Sequence, residues 1–420
     1  MRSLRLGAIL ALFLAGVRRV RGLEKFTSSS VAFNTEDVLE YPSMFLIGAM
    51  KAATTTFYDV LTRHPSVCKY GEKEKHFFSG KDYKTGYAGD LQKYKSEFAG
   101  CNSTQQTLDA TPGYTAGFYA LTFARMKRHY TQQTMLKKKF LYILREPIAR
   151  MHSEYSMAVR LCLDLESDLD RKDMDAEEAE WRHERFVRSC ERVGVPKKHL
   201  KASNIGKLKA KDLLPFRGWV MSHFGSREAL RGNYFSILRE LTTSGFLGRS
   251  QLFLMNFDML VRNETLVLNG LQGFLGLKEP WAPGTKLPNS PHAPIANPEF
   301  VMDCATVDML KQYYFGASGC SEACLMDFIR NSGPSKFEPA FGRFVDPATK
   351  CVNSNSTSDK MREDTKMFAE LMRREEQNDI DKENRETERE SLLQGAKNLQ
   401  EKPIENLFKG GRLVSKGGNS

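Results

Sequence analysis

The sequence predicts an α/β fold: a single P-loop-like domain with a central parallel sheet flanked by helices, followed by a charged C-terminal tail. Three stretches carry that expectation. Phe45 to Pro65 reads FLIGAMKAATTTFYDVLTRHP, a short apolar run ending at Gly48, small residues around Lys51, then helical spacing from Thr55 to Arg63. Phe140 to Leu144, in FLYILREP, reads as a second fully buried strand, and SQLFLMNFD, ending at Asp258, as a third. Apolar strands separated by helical connections pair in parallel, and ligands then sit beyond the strand C-termini. Gly48 and Arg145 both fall at such ends.

The chain opens with an apolar run, Leu6 to Val17, behind Arg2 and Arg5. This is the pattern of a secretory signal, and the run is short of the ~20 residues that span a bilayer. A cleaved signal over residues 1–22 is the first reading and a short signal anchor, a possible N-terminal membrane anchor, the second. Either makes the rest lumenal. Five arginines and no acid lie in these 22 residues, so they hold five of the net +11 charges. The surplus left after processing suits an anionic cofactor or polyanionic sugar. No aromatic-interleaved basic repeat supports nucleic acid.

Eight cysteines, Cys68, Cys101, Cys162, Cys190, Cys304, Cys320, Cys324 and Cys351, are an even set compatible with disulfides in an oxidising compartment, with about 105 pairings open. No CxxC and no HExxH spacing supports zinc. Asn102-Ser-Thr, Asn263-Glu-Thr and Asn355-Ser-Thr are N-glycosylation acceptors that agree with the leader. Hydrophobic content of 41% and aromatic content of 10% fit a globular chain.

Residues 23–42 read as a polar stem or lead-in, and the main domain as 43–345. Its first loop offers the uncapped N–H groups and partial positive charge of a helix start, the small residues Ala52 and Ala53, the hydroxyls of Thr54 and Thr55, and the full charge of Lys51. The helix should stop near His64-Pro65. GEKEKHFFSG, Gly71 to Gly80, joins Glu72 and Glu74 to His76 and two aromatics that want burial, so something polar is held at the edge of the core. A partly exposed helix is expected over Tyr83 to Gly100. TLDATPGY, Thr107 to Tyr114, reads as a strand end turning at Pro112-Gly113, with a helix from about Thr115 to His129. Arg145 ends the second strand, and Pro147 opens a helix carrying Arg150, Ser153 and Tyr155. Arg145 is open to two readings, an anion ligand or an ion-pair partner of Glu146 or another acid.

The segment 162–214 is charged with few apolar residues at regular spacing. It is expected to be a solvated insertion, or else a lid or acceptor-binding region. Helical pattern returns at Arg231 to Leu241, and ETLVLNGLQGFLGL is an amphipathic helix ending at Gly276. Trp281 to Pro294 is a proline-rich loop, Ala305 to Phe315 a further helix, and 346–420 a charged tail, helical or disordered.

Taken together, FLIGAMKAATTTFYDVLTRHP, KEKHFF and YILREPIARMHSEY resemble, in order, the motifs of the Golgi carbohydrate sulfotransferases of the heparan sulfate and chondroitin-type branch, which use 3′-phosphoadenosine 5′-phosphosulfate (PAPS). The dense part of the resemblance runs from about Met44 to Arg160, with a weaker part from Arg231 to Leu277. It implies that Lys51, Ala52, Ala53, Thr54 and Thr55 surround the 5′ phosphosulfate and that Arg145 and Ser153 hold the 3′-phosphate. Glu74 would be the general base, His76 would lie close to the transferring sulfuryl group, and Lys51 would stabilise the leaving phosphate. It implies no metal, a carbohydrate or proteoglycan acceptor and a Golgi location, and leaves the oligomeric state open. The chain departs from the family at Ala53, where glycine is usual. That is tolerable if the position is already helical, because only a positive φ would demand glycine. Ala110 stands where some members carry lysine, leaving Asp109 as a candidate acceptor contact, and Lys286 and His292 are candidates for a late basic loop. A P-loop kinase-like enzyme using Asp258 for Mg²⁺, and a non-catalytic glycan-binding protein on the same fold, are the alternative readings.

Overall fold

The computed structural model describes residues 39–69, 73–79, 91–116, 119–163, 176–200, 207–224, 226–243, 247–286, 302–317, 320–332, 344 and 351. The leader, most of the lead-in, Glu72, His292, the Asn355 acceptor and the tail beyond Cys351 lie outside them.

The elements run β1 (Met44–Gly48), α1 (Thr54–Leu61), α2 (Leu91–Ser96), β2 (Leu108–Asp109), a 3₁₀ turn (Pro112–Thr115), α3 (Tyr119–His129), α4 (Gln132–Leu136), β3 (Lys139–Leu144) and α5 (Pro147–Cys162). They continue through α6 (Ala176–Arg192), α7 (Phe216–Ser222), α8 (Arg227–Leu230), α9 (Tyr234–Thr243), β4 (Leu252–Asn256), α10 (Phe257–Arg262), α11 (Glu264–Leu275), α12 (Cys304–Lys311) and α13 (Glu322–Ser332).

The four strands form one parallel sheet in the order β2-β1-β3-β4. Every residue of β1 and β4 is buried, as expected of strands covered by helices on both faces. Phe45 stacks on Phe140 with ring centroids 5.0 Å apart, and burial of such a side chain contributes about 1.5–3 kcal/mol. Gly48 pairs with Tyr142, and a Cβ there would lie 2.2 Å from Thr115 Oγ1 and 2.7 Å from Tyr142 Cε2. The glycine is needed because the end of β1 is walled in. α11 ends at Gly276, whose φ of 68° suits a residue without a Cβ.

α5 separates two cores. The sheet and its helices form one; the far face of α5, with Ile148, Met151, Tyr155, Val159 and Cys162, packs into the other beside Phe216 and Trp219. The 162–214 segment is therefore not simply a solvated insertion. Among its described residues Phe186, Cys190, Val193, Val195, Leu200 and Leu213 are buried in this second core, and Cys162 is disulfide-bonded to Cys190. Its apolar residues are scattered among charges, which hid them from periodicity. The remaining disulfides are Cys68–Cys101, Cys304–Cys351 and Cys320–Cys324, so all eight cysteines are paired. Glu154 on α5 pairs with Arg150 at 2.7 Å and with Arg231, and Arg150 also donates to the Glu228 carbonyl. These bonds pin α8 and the start of α9 to α5.

Candidate active site

Two loops leave the carboxyl ends of β1 and β3, and a third, residues 73–79, is hydrogen-bonded to the chain just beyond β2. From β1 the chain turns through Lys51 and Ala53, with φ of 68° and 60°. Ala53 is the N-cap of α1 and is left-handed, not helical, so the condition under which alanine would sit there without strain is not met. It makes no side-chain capping hydrogen bond, which leaves the first-turn N–H groups of α1 without a capping side chain. Ala52 is buried, Thr54 is buried and Thr55 is exposed, so the two hydroxyls differ in access. The Lys51 ammonium reaches across to α5, where its Nζ lies 3.1 Å from Met157 Sδ. That places it one turn from the half-buried Ser153 on the same helix.

From β3, Arg145 folds back on the same loop. Its Nη1 donates to the Lys51 carbonyl at 2.8 Å, its guanidinium lies 4.7 Å from the centre of the Phe257 ring, and its own carbonyl accepts from the Tyr234 hydroxyl at 2.8 Å. Burial lowers its pKa, and the guanidinium remains a cation. Glu146, next in sequence, caps α5: its Oε2 accepts from the Ala149 N–H at 2.6 Å. It is the helix start that holds Glu146, not an ion pair with Arg145. Burial pushes the Glu146 carboxyl up to about 7, against the backbone hydrogen bonds that favour its charged form.

From β2, the 73–79 loop hangs on the strand end. The Glu74 N–H donates to the Ala110 carbonyl at 3.0 Å, and the His76 N–H to Thr111 Oγ1 at 3.4 Å. Both residues have positive φ, 62° and 53°, while Phe77 and Phe78 turn inward to the core. Exposed Glu74 and His76 are thus hung over the crevice by a buried aromatic pair. His76 Nε2 lies 3.6 Å from Glu74 Oε2, and the Lys73 ammonium contacts Oε1. The His76 ring and then Lys73 hold the Glu74 carboxyl down to about 2, against the opposing effect of partial burial.

Asp109 is not an acceptor contact. It is fully buried and accepts from Thr111 Oγ1 at 2.6 Å and from the Tyr94 and Tyr114 hydroxyls at 2.7 Å each, while burial raises its pKa. It anchors the turn below the 73–79 loop. Asp258 lies at the other edge of the sheet, where its N–H donates to the Asn256 side chain at 2.8 Å and its carboxylate favours the charged form of Arg145.

Lys73, Phe257 and Tyr234 all touch site residues and were given no role in the sequence reading. Only Lys73 had a signal, its place beside Glu74; the Tyr234 contact to Arg145 spans 89 residues.

No protein-family model matches the chain. A curated relative, heparan sulfate glucosamine 3-O-sulfotransferase 5 of Mus musculus, is 28% identical over 136 residues, 32% of this chain and 36% of that protein. The membrane-associated sulfotransferase kil1 of Dictyostelium discoideum is 29% identical over 122 residues, 28% of this chain and 23% of that one. The match thus spans about a third or less of these relatives' length. A solved sulfotransferase from Alicyclobacillus acidocaldarius aligns at a TM-score of 0.42 and 20% identity, over 69% of this chain and 96% of that one. Over these stretches the chain is similar to sulfotransferases.

Proposed function

We propose that this protein transfers a sulfuryl group from PAPS to a hydroxyl of a carbohydrate acceptor in the secretory pathway. One observation carries the reading. Lys51 and Arg145 follow the neighbouring parallel strands β1 and β3, and the loop bearing Glu74 is hydrogen-bonded to the chain just beyond β2, the strand on the other side of β1; strands in such a sheet lie about 4.8 Å apart. A base stands on one side, an anion loop in the middle and a second cation beyond it. The crevice suits a donor with two anionic ends. The uncapped start of α1 and Lys51 accommodate the phosphosulfate, and Arg145 with Ser153 takes the 3′-phosphate through a guanidinium fork and a hydroxyl.

PAPS supplies the sulfuryl group and departs as adenosine 3′,5′-bisphosphate. Glu74 takes the acceptor proton as the acceptor oxygen bonds to sulfur and the sulfur–oxygen bond to phosphate breaks. Lys51 and the first N–H groups of α1 meet the charge left on that phosphate. His76, beside Glu74, donates toward the sulfuryl oxygens. Positioning and electrostatics do most of this work, as in phosphoryl transfer. The carbohydrate class of the acceptor rests on the heparan sulfate enzyme among the relatives. The compartment rests on the 1–22 leader and four disulfides. No described helix is long and apolar enough to cross a membrane.

The test is transfer of radiolabelled sulfate from PAPS to a glycan panel. Wild type should label at least one glycan, and Glu74→Gln should fall about 10²–10⁴-fold while still binding adenosine 3′,5′-bisphosphate. No labelled glycan, with ATP consumed in the presence of Mg²⁺, would select the kinase-like reading instead.

A further inference from the structure

Lys73 stands directly before Glu74 and has no role in the reading above. Its side chain is 16% exposed against 40% for Glu74, so the cation is tucked beneath the carboxylate while the carboxylate faces solvent. The ammonium contacts Oε1, and His76 Nε2 approaches Oε2 at 3.6 Å. The surrounding elements supply no other charge to this carboxylate among the described residues. Lys75 is directed to Glu97 at 2.8 Å, on the turn after α2. Asp109, at the end of β2, is buried among three hydroxyls, and the turn that follows offers only the Ala110 carbonyl, the Thr111 hydroxyl and Gly113 beneath the His76 ring. The Ser79 hydroxyl lies 3.2 Å from His76 Nδ1, on the ring's other side.

An exposed glutamate has three rotatable side-chain bonds, and a base must hold one lone pair toward the incoming proton to be effective. We infer that Lys73 is a positioning residue for Glu74: it anchors Oε1 and leaves Oε2, on the His76 side, to take the acceptor proton. The inference rests on the reading of Glu74 as the base. The anchoring also lowers the affinity of the carboxylate for protons.

The test is a carbon-13 NMR titration of glutamate-labelled full-length protein as wild type, Lys73→Met and Lys73→Arg, with Glu74→Gln assigning the resonance. The pH profile of kcat/KM for sulfuryl transfer is recorded on the same proteins. Lys73→Met should raise the Glu74 titration by about one pH unit or more and carry the acid limb of kcat/KM up with it. Lys73→Arg should keep both low. A Glu74 resonance that titrates alike in wild type and Lys73→Met overturns the anchoring. A resonance that moves while the acid limb stays overturns the reading of Glu74 as the base, with the ion pair intact.

Discussion

Two helices begin at the carboxyl edge of the sheet, and they begin in opposite ways. α1 starts on a left-handed alanine with no side-chain cap, its loop drawn together by Arg145. α5 starts on Glu146, whose buried carboxylate caps it, and on Pro147, whose missing N–H is one the helix start would leave unbonded anyway. The second start is complete in the protein alone. The first has donors left over, which is what a site for an anion needs. On the proposed reading, the difference separates a residue that serves binding, Lys51, from one that serves structure, Glu146.

The largest test of that contrast is Lys51→Ala. Sulfuryl transfer should fall about 10²–10³-fold with the melting temperature unchanged, since the lost charge serves an incomplete helix start. A matched fall in thermal stability would break the contrast. Gly48→Ala acts on the wall of the same loop: with Thr115 and Tyr142 inside the space of the new methyl, unfolding in urea should show a loss of about 3 kcal/mol.

Glu146 gives the third test. Its carboxyl titrates near 7 in the fold against about 4.5 unperturbed, so the stability it provides is full below pH 4.5 and is lost as pH rises through 7. The difference amounts to at most about 3 kcal/mol. Glu146→Gln keeps an acceptor for the Ala149 N–H and should flatten that slope in melts recorded between pH 5 and 8. An unchanged slope would place the titrating group elsewhere. The smallest effect is expected from Ala53→Gly. Relief of the left-handed backbone is worth about 1 kcal/mol, partly offset by the freedom glycine gains in the unfolded chain, so urea unfolding should show a net gain of a few tenths.

The parallel sheet was legible because fully buried strands write uninterrupted apolar runs. Lys51 and Arg145 stand out in the sequence because each follows such a run, Lys51 three residues after Gly48 and Arg145 directly after Leu144. What was hidden depended on distance or on backbone. Asp109 looks like any acid before a turn until Tyr94, fifteen residues earlier, and Tyr114 close their hydroxyls over it. Ala53 reads as a helix former, and nothing in its side chain announces a φ of 60°. Phe186 and Cys190 sit among arginines and glutamates, so their burial against α5 left no clear period. The disulfide pairing could not be read either, because it follows from which helices pack together.

The 73–79 loop is tied to β2, a two-residue strand, by the Glu74 and His76 backbone bonds, whereas Lys51 and Arg145 belong to the long central pair β1 and β3. The site is therefore modular. On the proposed function, its acceptor half would be an attachment at the margin and its donor half part of the foundation, so substitutions that retune acceptor choice would accumulate at the margin while the donor half stays fixed.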